Sequence, residues 1–142
     1  MEHLLNTCRQ ENWDILDWIS KIRYDEIQNL TQKNRSSETG SWLLKSSEYT
    51  NWKAAPGEIL WLHGVVGCGK SVLRSTIIND IESYCEQNPP NTHAYWYFQF
   101  SYQDTQRVEN MIRSLIRQLC PNPLPESVRK NLGGPQKPRT KQ

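Results

Sequence analysis

No apolar run in this chain approaches the roughly 18 residues that a membrane-spanning helix requires. The opening residues, Met1-Glu2-His3-Leu4-Leu5-Asn6, lack a basic segment followed by an apolar one, so no secretory leader is expected. Cysteine is scarce and scattered: Cys8, Cys68, Cys85 and Cys120 form no C-x-x-C pair. That spacing offers zinc no closed ligand set, and free thiols suit an intracellular, cytoplasmic chain. A strong charge of either sign is also missing. Seventeen Lys and Arg against 15 Asp and Glu leave a net charge of +2, too small to argue for a nucleic-acid partner. Acids are absent after Val128, where Arg129, Lys130, Lys137, Arg139 and Lys141 stand without a counter-charge. Aromatics are absent there too, so nothing would stack on bases. The Pro- and Gly-rich stretch 125–142 reads as a disordered basic tail. The hydrophobic fraction of 36% and the length of 142 residues leave room for about one domain with a modest core.

Against these absences stands Gly64-Val65-Val66-Gly67-Cys68-Gly69-Lys70-Ser71. It fits G-x-x-x-x-G-K-[ST], a phosphate-cradling loop of the P-loop or Walker A type. Glycines let the backbone turn at positive φ and keep side chains away from a ligand. Backbone N–H groups and the positive end of the following helix then converge on an anion. Lys70 would reach the β- and γ-phosphates, Ser71 would offer a hydroxyl to Mg²⁺, and Val72 would complete the contact. Cys68 fills a position the motif leaves open. The context agrees. Glu58-Ile59-Leu60-Trp61-Leu62-His63, opened by Pro56-Gly57, reads as a buried strand. After the loop, Val72, Leu73, Ile77, Ile81 and Tyr84 recur at helical spacing.

Elsewhere, Ile15, Leu16, Ile19, Ile22, Ile27 and Leu30 predict one helix over 8–30. Residues 31–41 read as a loop, and Ser47-Glu48 as the cap of a short helix near Trp52. Ala94-Tyr95-Trp96-Tyr97-Phe98-Gln99-Phe100 lacks polar alternation, which suits a parallel strand covered on both faces. Val108, Met111, Ile112, Leu115, Ile116 and Leu119 predict a second helix that Pro121 ends, with Asp104 or Thr105 as its cap. The expected fold is therefore α/β: an incomplete P-loop NTPase parallel sheet with flanking helices, preceded by an N-terminal helical segment. His63 reads as structural, because no partner carboxylate orients it.

Several of these blocks together resemble a known family. They are Ile15-Leu16-Asp17-Trp18-Ile19-Ser20, Thr39-Gly40-Ser41-Trp42-Leu43-Leu44, Trp52, Leu60-Trp61-Leu62-His63-Gly64, Tyr97-Phe98 with Phe100, Gln106, Met111, Ser114-Leu115 and Gln118-Leu119. The pattern is similar to the start of NACHT-type P-loop domains of fungal NOD-like receptors, also described as nephrocystin-3-like N-terminal domains. It covers about residues 13–124, and the tail from Asn131 matches nothing in it. The resemblance implies a STAND-type signalling ATPase that uses ATP or ADP with Mg²⁺ as a switch in self/non-self or immune-like signalling. It also implies a division into a helical segment and linker over 1–38, a partial NACHT-like domain over 39–124 and the tail over 125–142.

The family continues into an acidic Walker B strand and sensor residues. Here the only acid after Cys120 is Glu126. The expectation is a truncated fragment that binds nucleotide without efficient hydrolysis, and no residue is assigned a catalytic role. Two alternatives stay open. One is a small competent NTPase or kinase using Asp104 or Glu126 as its acid. The other is an interaction module or decoy that pairs with longer relatives through an exposed sheet edge.

Overall fold

A computed structural model describes residues 2–33, 38–121 and 123–132. They form seven α-helices and one 3-10 turn. The helices are α1 (Glu2–Ile19), α2 (Tyr24–Lys33), α3 (Ser41–Leu44), α4 (Ser47–Ala54), α5 (Lys70–Gln87), α6 (Val108–Leu119) and α7 (Glu126–Leu132), and the 3-10 turn is Gln103–Gln106. The chain divides into two compact units, Met1–Arg23 with Ala94–Gln142, and Tyr24–His93.

The expected parallel sheet is not there. Among the described residues no strand forms, and the fold is helical with irregular connections. The first apolar run lacks cover, and the second is covered only in part, with Trp96 and Tyr97 buried and its last aromatic residues open. Ile59 is 86% exposed, Trp61 80%, Phe98 60% and Phe100 98%. In Ala94–Phe100 the backbone bonds to side chains instead of to a neighbouring strand. Tyr95 N–H donates to Gln118 Oε1 at 3.0 Å, and Gln118 Nε2 donates back to Tyr95 O at 3.0 Å. Gln99 N–H donates to Thr105 Oγ1 at 2.9 Å.

The first unit is held by Ile15, Leu16 and Leu124, with Ile19, Cys120 and Val128 packed against them. The helix predicted over 8–30 breaks after Ile19. Ser20 Oγ accepts the N–H of Ile22 at 3.3 Å, a local bond that competes with helix continuation. The Ser20 carbonyl, orphaned at the helix end, is taken by the Arg117 guanidinium, which also pairs with Asp17 at 2.8 Å. Helix α6 spans the predicted apolar residues and ends ahead of Pro121, but it starts later than the predicted cap would set. Its N-cap is Arg107, and no side chain caps it. Thr105 lies in the 3-10 turn, where its carbonyl accepts the Trp96 indole N–H at 3.0 Å. Helix α7 occupies the start of the stretch expected to be irregular. Glu126 suits its first turn, Glu126 and Lys130 pair at 2.7 Å, and Val128 reaches the core. Residues 133–142, the rest of that stretch, lie outside the described residues.

The second unit is built on α5. Leu43, Tyr49 and Ile78 are its buried apolar residues. Gln28 of α2 is buried and donates to Ser75 O at 3.1 Å and to Asn79 Oδ1 at 2.7 Å. Gln32 Nε2 shares the same Asn79 oxygen. Helix α4 starts one residue earlier than a Ser47 cap would set. Ser46 is the N-cap, its hydroxyl accepting the Tyr49 N–H at 3.2 Å.

Candidate functional site: the loop ahead of the fifth helix

Gly64 to Ser71 lead directly into α5, the helix the motif expects after the loop, but the strand it expects before the loop does not form. Val65 O accepts the Cys68 N–H at 3.3 Å. Gly69 is the N-cap at φ 86°, and its carbonyl accepts the N–H groups of Val72 and Leu73, each at 3.0 Å. Gly67 also has positive φ, 84°. An added Cβ at either glycine would meet nothing within 4 Å, so both positions face open space. Gly64 is different. A Cβ there would stand 2.7 Å from Cys68 Sγ, so the absence of a side chain lets the loop close on itself.

Lys70 is held inside this closure. Its ammonium donates to Gly64 O at 2.8 Å and Val65 O at 2.7 Å, with Cys68 Sγ at 3.6 Å. The N–H groups of Gly69, Lys70 and Ser71 make no hydrogen bond among the described residues, and neither does the Ser71 hydroxyl. These are the orphan donors of a helix start, left uncapped by any side chain. Val65, Val66 and Ser71 are exposed. An anion at this end would meet free N–H donors, a lysine and the positive pole of an 18-residue helix. Nothing bulky stands in the way at Gly67 or Gly69.

The other candidates separate from this loop. His63 is exposed. Asp104 sits exposed in the 3-10 turn, and its part in the turn is its carbonyl, which accepts from Asn110 Nδ2 at 2.9 Å. Glu126 is committed to its pair with Lys130. Among the described residues no cluster of three or more His, Cys, Asp or Glu side chains is arranged to hold a metal ion. Nor is any described helix long and apolar enough to cross a membrane.

One polar cluster was not visible in the sequence. Tyr49 and Lys53 of α4 both donate to Asp80 Oδ2 of α5, each at 2.5 Å. The Lys53 ammonium also stands 4.8 Å from the centroid of the Tyr84 ring, within cation–π range. Burial pushes the Tyr49 hydroxyl well above its ordinary value, and the Asp80 hydrogen bond and charge add to it. Burial also pushes the Asp80 carboxyl up, but its hydrogen bonds from Lys53 and Tyr49, with the Lys53 charge, together hold it below the usual range. A depressed carboxyl stabilises the fold above its unfolded value and loses that effect as pH falls through the folded value. Comparing the protein with Asp80→Asn in urea therefore gives a definite expectation. The stability gap should be full from about pH 5 to 8 and should shrink below about pH 4. A gap that stays constant down to acid pH would show that the carboxylate charge contributes nothing.

Among the described residues the fold is helical, with a glycine–lysine loop at the head of α5. The chain belongs to the Nephrocystin 3, N-terminal family, which matches residues 38–141. The matched range takes in Gly40, the whole loop and α5, and it runs on past Leu124 into the tail that the sequence reading left unmatched. No curated protein and no solved structure matches the chain.

Proposed function

We propose that this chain binds ATP or ADP through Gly64–Val72, with Mg²⁺. One observation carries the reading. The Lys70 ammonium rests on two loop carbonyls at the head of α5, beside uncapped N–H donors. Phosphate oxygens offer that ammonium a charge-assisted alternative to neutral carbonyls. The N–H groups of Gly69, Lys70 and Ser71 suit a phosphate, and the Ser71 hydroxyl suits a Mg²⁺ ion that the phosphates bring with them. The activity is binding rather than turnover, since no acid is assigned to position an attacking water. The resemblance to NACHT-type domains supports reading the chain as part of a nucleotide-controlled signalling module of the STAND kind, as in fungal NOD-like receptors.

Calorimetric titration with Mg·ATP, Mg·ADP and AMP tests this. ATP and ADP should bind, and AMP, lacking the β-phosphate, should bind at least about tenfold more weakly. Equal affinity for AMP and ATP would remove the phosphate loop from the account.

A second reading, an interaction module, is favoured by a different observation, the incompletely bonded backbone of Ala94–Phe100.

A further inference from the structure

The second unit holds a cavity that the phosphate-loop reading does not use. Its volume is about 260 Å³. Asn79, Asp80 and Ser83 line it from one face of α5, and Thr39, Ser41 and Leu44 line it from α3 and the turn ahead of α3. Asp80 lies ten residues along α5 from Lys70, about 15 Å at the helical rise, so the cavity is separate from the loop. Its polar atoms are largely uncommitted. Asp80 Oδ2 accepts from both Tyr49 and Lys53, while its Oδ1 makes no hydrogen bond among the described residues. Asn79 is the converse case. Its Oδ1 accepts from Gln28 and Gln32, which leaves its Nδ2 as a donor with no bond among the described residues. The hydroxyls of Thr39, Ser41 and Ser83 make none there either. One acceptor, one donor and three groups that can do both thus line one small space, with Leu44 as an apolar wall.

We infer that this cavity binds a neutral polyol of monosaccharide size. Size sets the first limit. The volume is below the roughly 300–1,000 Å³ of sites for drug-sized ligands. It equals the share of about eight or nine waters, which suits a single ring bearing hydroxyls. Hydrogen bonding sets the class. A ligand group that serves both Asp80 Oδ1 and Asn79 Nδ2 must donate to one and accept from the other, as a hydroxyl does. The protein hydroxyls at Thr39, Ser41 and Ser83 repeat that demand around the same space, and vicinal hydroxyls on one ring meet it together. Leu44 gives the ring C–H groups an apolar contact. Charge weighs against ions. The Asp80 carboxylate is already countered by Lys53 at 2.5 Å. A ligand anion would face that carboxylate, and a ligand cation would compete with Lys53 for it. The site does not depend on nucleotide.

Titration of the whole chain, followed by amide chemical shifts, tests the inference. The polyols are myo-inositol, D-glucose and D-xylose. The controls share a six-membered ring: cyclohexanol, cyclohexylammonium and cyclohexanecarboxylate. At least one polyol should bind with a Kd of about millimolar order, with shifts gathered at Thr39, Ser41, Asn79 and Ser83. The controls should bind at least about tenfold more weakly. Ser83 and Ser41 are exposed, so both can be changed without disturbing the core, and a thermal melt checks that the fold is kept. Ser83→Leu fills the cavity and should abolish binding. Ser41→Ala removes one hydroxyl and should weaken binding by about two- to tenfold. Saturating Mg·ATP should leave the polyol affinity unchanged. The inference is overturned if no polyol binds, if the controls bind equally well, or if Ser83→Leu keeps the affinity. Displacement of the polyol by Mg·ATP would give the cavity to the nucleotide and overturn it as well.

Discussion

If the chain binds nucleotide as proposed, replacing Lys70 by alanine should lower the affinity for Mg·ATP by about ten- to a hundredfold, the loss of one charge-assisted contact. Lys70 is the one cation that the loop itself holds at the head of α5, in reach of Gly64 O and Val65 O. Removing it costs the ligand a partner and frees two carbonyls that face the same space. The loop should keep its course, because the Val65–Cys68 turn and the bonds from Gly69 to Val72 and Leu73 do not involve the lysine side chain. Calorimetric titration of both proteins, with a thermal melt as a control on folding, separates binding from stability. Equal affinities would mean that nucleotide, if it binds, does so elsewhere.

Gly40→Ala should destabilise the chain by about 2–5 kcal/mol. Two effects combine. Gly40 caps α3 at φ 87°, a left-handed conformation that costs a side-chain-bearing residue about 1–2 kcal/mol. A Cβ there would also stand 2.9 Å from Thr76 Oγ1 and 3.2 Å from both Thr76 Cγ2 and Leu73 Cδ2. Leu73 can swing its methyl aside. Thr76 is buried, branched at Cβ and tied by hydrogen bonds to Thr39 O and Val72 O, each at 3.1 Å. Overpacking of that kind costs about 1–3 kcal/mol. Gly57→Ala is the control. Gly57 also has positive φ, 78°, but a Cβ there meets nothing within 4 Å. Urea unfolding should show the conformational cost alone at Gly57 and the sum at Gly40. Equal effects at the two positions would show that α3 does not press on α5 as described.

Helix α6 was legible from its apolar period alone, and its bounds follow it. The turn that leads into α5 was legible because its glycines and the start of the helix lie in one contiguous stretch. What the sequence concealed depends on distant residues. The run Tyr95–Phe100 is apolar enough for a covered strand, yet local composition cannot say whether a neighbour arrives. Here Gln118 and Thr105 arrive instead. The break after Ile19 depends partly on Arg117, 97 positions from the Ser20 carbonyl it takes. The Tyr49–Lys53–Asp80 cluster joins residues 27 and 31 apart. No periodicity signals such a meeting.

The anchoring of α5 has a mechanical meaning. The helix is clamped at Thr76 by Gly40, at Ser75 and Asn79 by Gln28, and at Asp80 by Tyr49 and Lys53. A rod fixed at successive turns is stiff, while the chain ahead of it, with Gly57, Gly64, Gly67 and Gly69 all at positive φ, is compliant. Force applied at the head of α5 is therefore absorbed in the glycine-rich chain rather than passed along the helix. Local loop rearrangements of that size run on nanosecond to microsecond timescales. On the proposed reading, transfer of the Lys70 ammonium from its two carbonyls to a phosphate would be a local event at the head of α5.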